Sequence, residues 1–215
     1  MSGRQPPAPA PVPAPAPPAA PGLAGPSPRL VLLGPPGSGK GTQGQLLAEA
    51  LGVPTISTGA LFREQMARGT ALGVEAQTYI AQGHLVPDRV TNDMVRERLA
   101  AADAAAGFIL DGYPRNVPQV EVLDGLLADF GWSVDAALAL ELPEDLIVQR
   151  LLRRAELEAR ADDTEPVIRQ RLAVYHRETE PIAQVYRQRG SLRRIDARGA
   201  IEEVAARVAA AVGAL

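Results

Sequence analysis

The apolar run Leu30-Val31-Leu32-Leu33 stops at Gly34, and Pro35-Pro36-Gly37-Ser38-Gly39-Lys40-Gly41-Thr42 follows, leading into a helical pattern. These residue types read as a buried strand, a tight turn and a helix N-terminus. Such a turn aims successive backbone N–H groups at one point, and the helix dipole adds positive potential there, which makes a hole for an anion. Lys40 brings a mobile positive charge to the same place, suited to following a phosphate as it moves. Gly41 follows the lysine where Ser or Thr is more usual, and Thr42 comes one place later. A glycine-rich turn without a ligand is the plainer reading. It does not explain why strand, loop, lysine and helix arrive together and in this order.

The elements that must hold this loop follow from patterning. From Pro28 onward, short apolar runs alternate with longer helical stretches, the pattern of βαβ units around a parallel sheet. Strands are predicted at Arg29–Leu33, Pro54–Ser57, Phe108–Asp111, Ala136–Leu142 and Leu192–Asp196. Helices are predicted at Gly41–Leu51, Gly59–Arg68, Val74–Gln82, Thr91–Ala102, Pro118–Asp129, Glu144–Arg153, Glu165–Arg189 and Ile201–Val212. Pro143 suits a first helical position, Thr164 a helix cap, and Ala100–Ala106 a helix end. The expected fold class is α/β, a five-stranded parallel sheet flanked by helices. Two segments read as insertions: residues 57–86, with small helices, and residues 153–164, a short charged loop.

Composition bounds the rest. The 215 residues are 46% hydrophobic and 22% charged, which is globular and fits one domain. A net charge of −3 argues against a nucleic-acid partner, where a basic excess is expected. The sequence has no cysteine and only two histidines, His84 and His176, far apart, so neither a disulfide framework nor a zinc site is expected. No apolar run is long enough to cross a membrane, and a reducing cytoplasm is the expected compartment. Residues 1–28 hold eleven of the 20 prolines, mostly interleaved with alanine, and are expected to be a disordered tail. Trp132 and the tyrosines are expected to be packing residues, and His84 to sit at the surface.

Taken together, the motifs resemble the adenylate kinases, within the nucleoside monophosphate kinases. The segments that carry the likeness are Gly34 to Gln43, Ile56-Ser57-Thr58-Gly59 with Leu61-Phe62-Arg63, and Gly83-His84-Leu85-Val86-Pro87. Asp111-Gly112-Tyr113-Pro114-Arg115 with Gln119, then Arg160-Ala161-Asp162-Asp163 and Arg169-Gln170-Arg171-Leu172, complete the set in the family's order over roughly residues 29–212. The resemblance implies a P-loop NTPase-type sheet, with residues 57–86 as a helical arm for the nucleoside monophosphate and 153–164 as a short lid. It implies reversible phosphoryl transfer from Mg-ATP to AMP, giving two ADP, by a cytoplasmic monomer whose partners are nucleotides. Long-lid relatives can carry four zinc-binding cysteines, and this chain has none, so no zinc is expected.

The same resemblance implies roles. Gly37, Ser38, Gly39, Lys40, Gly41 and Thr42 would cradle ATP, with Arg150 on its base, Arg154 on its phosphates and Gly199 beside its adenine. Thr58, Arg63, the main chain of His84, Leu85 and Val86, then Gly112, Tyr113, Pro114, Arg115 and Gln119, would hold AMP. Arg160 and Arg171 would sit over the AMP phosphate and the transition state, and Asp111 would hold magnesium through water. ATP and AMP bring about six negative charges together, so a ring of cations is what the chemistry needs. The implied catalytic set is Lys40, Arg115, Arg154, Arg160, Arg171 and Asp111. Ala60 stands where the family usually has an acid, and Ala159 where a glycine is common before the lid arginine. Two alternatives remain: a kinase for UMP or CMP with this fold, and a phosphate-loop protein that binds nucleotide without turnover.

Overall fold

The computed structural model describes residues 27–158 and 164–215. Strands β1 (Arg29–Leu33), β2 (Thr55–Ser57), β3 (Phe108–Asp111), β4 (Ala136–Glu141) and β5 (Leu192–Asp196) form a parallel sheet of order β2-β3-β1-β4-β5. The predicted strands stand within a residue of these bounds.

Both faces of the sheet are covered, as a parallel sheet requires, and alternate residues of each strand serve opposite faces. Val31, Leu33, Phe108, Leu110, Ala137 and Ala139 pack into one core with α5 (Val117–Ala128) and α8 (Pro181–Gln188), where Val120, Leu123, Leu127 and Ile182 are buried. Leu30, Leu32, Ile109, Ala136, Leu138 and Leu140 face the other way, onto α1 (Lys40–Leu51) and α9 (Ile201–Val212) through Leu47, Ala48, Val204 and Val208. Trp132 packs as expected: its ring lies 4.6 Å from Phe130 and carries the Arg29 guanidinium 4.7 Å from its centroid.

Beyond the sheet, α2 (Thr58–Ala67), α3 (Ala71–Ile80) and the start of α4 (Asp88–Leu99) share a small separate core of Phe62, Ala76 and Val86. Side chains start the first two: Ser57 Oγ accepts from the Ala60 N–H at 3.4 Å and Thr70 Oγ1 from the Gly73 N–H at 3.0 Å. α6 (Glu144–Glu158) and α7 (Glu165–Val174) bury Ile147, Leu151, Ile168 and Leu172 between them.

Several predicted details are corrected. α6 runs through Glu158, so the first half of the segment read as a loop over 153–164 is helical; residues 159–163 lie outside the described residues. Pro143 stands just before α6 and accepts its first helical bond through the carbonyl, from the Ile147 N–H at 3.1 Å. Thr164 precedes α7, but its side chain makes no cap. Ala100–Ala106 is not the end of α4: a separate 3₁₀ helix spans Ala102–Ala106. The continuous helix expected over Glu165–Arg189 is broken by a π turn at Tyr175–Thr179, closed by the Glu180 N–H donating to the Tyr175 carbonyl at 2.9 Å. Pro181 is the cause, since it has no N–H to continue the α ladder. Of the tail expected over 1–28, Ser27 and Pro28 belong to the domain. The Ser27 hydroxyl donates to the Leu51 carbonyl at 3.4 Å, and its backbone leaves room only for a glycine at Gly107. Residues 1–26 lie outside the described residues.

α2 and α3 pack backbone to backbone at Gly73, where an added Cβ would lie 2.2 Å from the Gln65 carbonyl oxygen and 2.5 Å from the Met66 nitrogen. Backbone cannot step aside cheaply, so Gly73→Ala is expected to destabilise this small core by about 2 kcal/mol. Hydrogen exchange reads it: faster exchange in α2 and α3 with the sheet unchanged is the expected result, and unchanged protection there would contradict it.

Candidate functional site

The loop Gly34–Gly39 joins the C-terminal end of β1 to α1. Gly37 and Gly39 hold φ values of 80° and 94°, and a Cβ on Gly37 would meet the Leu151 side chain at 2.8 Å. Both reasons demand glycine. No side chain caps α1, so its first amides remain available to a ligand. Lys40, the first residue of α1, folds back and donates from Nζ to the carbonyls of Gly34 at 2.7 Å and Pro35 at 2.9 Å.

Two cavities meet in front of this loop. The first, about 780 Å³, is lined by Gly37 through Thr42, Asp111, Pro114, Arg150, Arg154, Ala197 and Gly199. The second, about 590 Å³, is lined by Thr58, Phe62, Met66, His84, Val86, Thr91 and Gln119. Gly59, Arg63, Gly83, Leu85, Gly112, Arg115 and Arg171 line both. The cavities are therefore joined through three arginines.

Charge is concentrated at that junction. Burial pushes the Lys40 ammonium down to about 8; Asp111 opposes the shift, while repulsion from Arg115, Arg171 and Arg154 adds to it. Burial also lowers the proton affinity of Arg115, and Arg171 and Arg63 lower it further against the pull of Asp111. A site that disfavours its own positive charge is one that an anion would relieve. Asp111, at the end of β3, is the acid lining the first cavity, and its Oδ2 accepts from the Ser57 hydroxyl at 3.3 Å. Among the described residues there is no cluster of three or more His, Cys, Asp or Glu that could cage a metal.

The segment after β3 is held from several sides. The Gly112 carbonyl accepts from Thr58 Oγ1 and from Arg115 Nε, both at 2.8 Å. The Arg115 carbonyl accepts from Thr179 Oγ1 at 2.7 Å, and its N–H donates to Gln119 Oε1 at 2.7 Å. Arg150 donates from Nη2 to the Ala197 carbonyl at 3.1 Å, linking α6 to the turn after β5 that carries Gly199.

Nearly all the residues read from sequence as site residues line one of the cavities. Tyr113 does not: its side chain is fully buried and its hydroxyl donates to Asn92 Oδ1 at 2.8 Å, so it supports the segment from beneath. Arg160 lies outside the described residues. The His84 side chain is exposed, as expected. Tyr175 and Thr179, on the π turn, line the first cavity, so Tyr175 is not only a packing residue. Pro181 was the available sign of that turn. Ser57, which bonds Asp111, and Asp88, which bonds Gln119, were also missed, because neither relation is local in sequence.

Comparison with known proteins follows the same lines. The family model described as adenylate kinase matches residues 32–191. The chain is 54% identical over 184 residues to an adenylate kinase of Micrococcus luteus, covering 86% of this chain and 90% of that one. It is 52% identical over 184 residues to an adenylate kinase of Thermobifida fusca, covering 86% and 97% of the two chains. An adenylate kinase of Rhodococcus erythropolis is 54% identical over 185 residues, covering 86% and 99%. A likeness of this extent, with the family model running through the anion loop and the three shared arginines, makes this chain a member of the adenylate kinase family.

Proposed function

We propose that the protein transfers the terminal phosphoryl group of Mg-ATP to AMP, reversibly, giving two ADP. The observation that carries this reading is the pair of cavities joined through Arg63, Arg115 and Arg171. A triphosphate seated on the Lys40 loop and a monophosphate in the second cavity would bring their phosphate ends together at those guanidiniums. Planar guanidinium forks grip phosphate oxygens in pairs, while Lys40 acts as a point charge that can travel with the moving group. The acceptor phosphate is already anionic, so no general base is required.

Asp111 fits a magnesium ion. Magnesium keeps several waters and is usually bound through one or two carboxylates together with substrate phosphates, and one acid beside the loop satisfies that need. When bound, the ion would supply positive charge that offsets the negative charge of the phosphates. Around it the chain's own groups would work as follows: the α1 amides and Lys40 hold the triphosphate, Arg154 its outer oxygens, and Arg150 its base. Thr58, Arg63, Leu85, Val86 and Gln119 hold the monophosphate, and Arg171, joined by Arg160, spans the two. By the same likeness, residues 57–86 would act as an arm and 153–164 as a lid, closing to exclude water and directing the phosphoryl group to AMP. The likeness also implies a cytoplasmic monomer; the cysteine-free sequence suits a reducing compartment, and no described helix is long and apolar enough to cross a membrane.

ADP formation from Mg-ATP, measured with AMP, UMP, CMP and GMP as acceptors, tests the reading. AMP is expected to be the preferred acceptor by a wide margin, and Lys40→Ala to lower turnover by about 10³-fold. Preference for a pyrimidine acceptor would move the protein to a neighbouring kinase, and ATP binding without transfer would make it a binding protein. Ala60 is exposed and is the third residue of α2, three after the Ser57 cap. An acid there would favour the helix dipole. Ala60→Asp is expected to keep or raise activity and to stabilise the protein by about 0.5 kcal/mol in thermal unfolding; a large loss of activity would show a site rebuilt around alanine.

A further inference from the structure

Asp88 opens α4, where any acid suits the helix dipole, but its carboxylate faces two side-chain amides. Oδ1 accepts from Gln119 Nε2 at 2.6 Å, and both carboxylate oxygens accept from Asn116 Nδ2 at 3.0 Å. Asn116 cannot turn over, because its Oδ1 caps α5 by accepting from the Gln119 N–H at 2.9 Å. At its other end Gln119 accepts, through Oε1, from the Arg115 N–H at 2.7 Å. A carboxylate only accepts and a backbone N–H only donates. Turning the Gln119 amide over would set oxygen against oxygen at Asp88 and N–H against N–H at Arg115.

Gln119 is 2% exposed and lines the second cavity, whereas Asp88 lines neither cavity. After these bonds the Gln119 amide has one N–H and one lone-pair direction left, in a fixed order. Adenine presents a ring-nitrogen acceptor beside an amino donor. Hypoxanthine and guanine present a carbonyl acceptor beside a ring N–H donor, the same pair with its order reversed. An amide free to turn over could serve either base; a fixed one serves one order only. We propose that Asp88 is a positioning residue that fixes the orientation of the Gln119 amide and thereby selects adenine over 6-oxopurine acceptors. The inference rests on Gln119 reading the base of AMP, as proposed above.

Arg115 contributes through its backbone, so Asp88 is the half of this device that substitution can reach. Asp88→Asn keeps the size of the side chain, but an amide can donate as well as accept and so meets Gln119 in either orientation. Steady-state rates with AMP and with inosine monophosphate, for the wild type, Asp88→Asn and Asp88→Ala, provide the test. In both variants the ratio of kcat/KM for inosine monophosphate to that for AMP is expected to rise about tenfold. The loss with AMP should fall on KM rather than kcat, with KM for ATP unchanged. An unchanged acceptor ratio in folded Asp88→Asn would reduce Asp88 to a helix-start acid and overturn the inference, whatever becomes of Asp88→Ala. Wild-type protein that does not phosphorylate AMP would overturn the function itself, and Gln119→Ala with unaltered KM for AMP would remove the reader; each differs from a ratio that fails to move.

Discussion

Positive charge held in a confined space is the constraint that organises this molecule. Lys40 sits among Arg115, Arg171 and Arg154 near enough for their repulsion to add to the burial that weakens its hold on a proton. Left to relax, like charges would move apart, so each must be tied to something rigid. Lys40 is tied to the carbonyls of its own loop, and Arg115 to the Gly112 carbonyl through Nε, to Thr179 through its own carbonyl and to Gln119 through its N–H. Preorganised charge of this kind stabilises a transition state because it does not have to rearrange as the reaction proceeds.

The sheet supplies that rigidity. β1, β3 and β4 are buried on both faces, and the anion loop, Asp111 and the Gly112 turn all start from their C-terminal ends, where ligands bind in open α/β sheets. The arm carrying Thr58 and Arg63 has a core of its own, built on Phe62, Ala76 and Val86. A small core beside a large one is the arrangement in which a segment opens locally at lower cost than the sheet, as the proposed closing of the arm requires. The π turn at Tyr175–Thr179 belongs to the same design: a widened helical turn, forced by Pro181, that brings Tyr175 and Thr179 to the first cavity.

Much of this was legible in the sequence, and the reasons for success and failure are physical. The strands stood out because each is a short apolar run closed by Gly, Pro or a charge, and the anion loop because its function demands glycine at fixed spacing. Roles that depend on one residue in its own segment, such as Gly37 or Lys40, follow from such patterns. Roles that depend on contact across the fold do not. Nothing local to Tyr113 shows that its ring turns into the core while Pro114 and Arg115 line the cavity. Nothing local to Asp88 shows that it meets Gln119 and Asn116 some thirty residues away. Helix ends were the weakest reading. Alanine is the strongest helix former and carries no stop signal of its own, so Ala100–Ala106 gave no sign of its break, and the charged stretch after Arg153 is as compatible with the helix observed through Glu158 as with a loop.

The account stands on the claim that phosphate relieves the strained positive charge at Lys40, and proton linkage tests this most directly. With its ammonium lowered to about 8, Lys40 holds its proton less firmly in the nucleotide-free protein than an exposed lysine does. A bound triphosphate raises its proton affinity, so binding must draw in a proton, and affinity must fall as the pH rises above 8. Calorimetric titration with Mg-ATP near pH 8, in buffers of different ionisation enthalpy, should show net proton uptake on binding. Lys40→Met should abolish that uptake. Binding by the wild type with no proton uptake, or equal uptake by wild type and variant, would contradict the account.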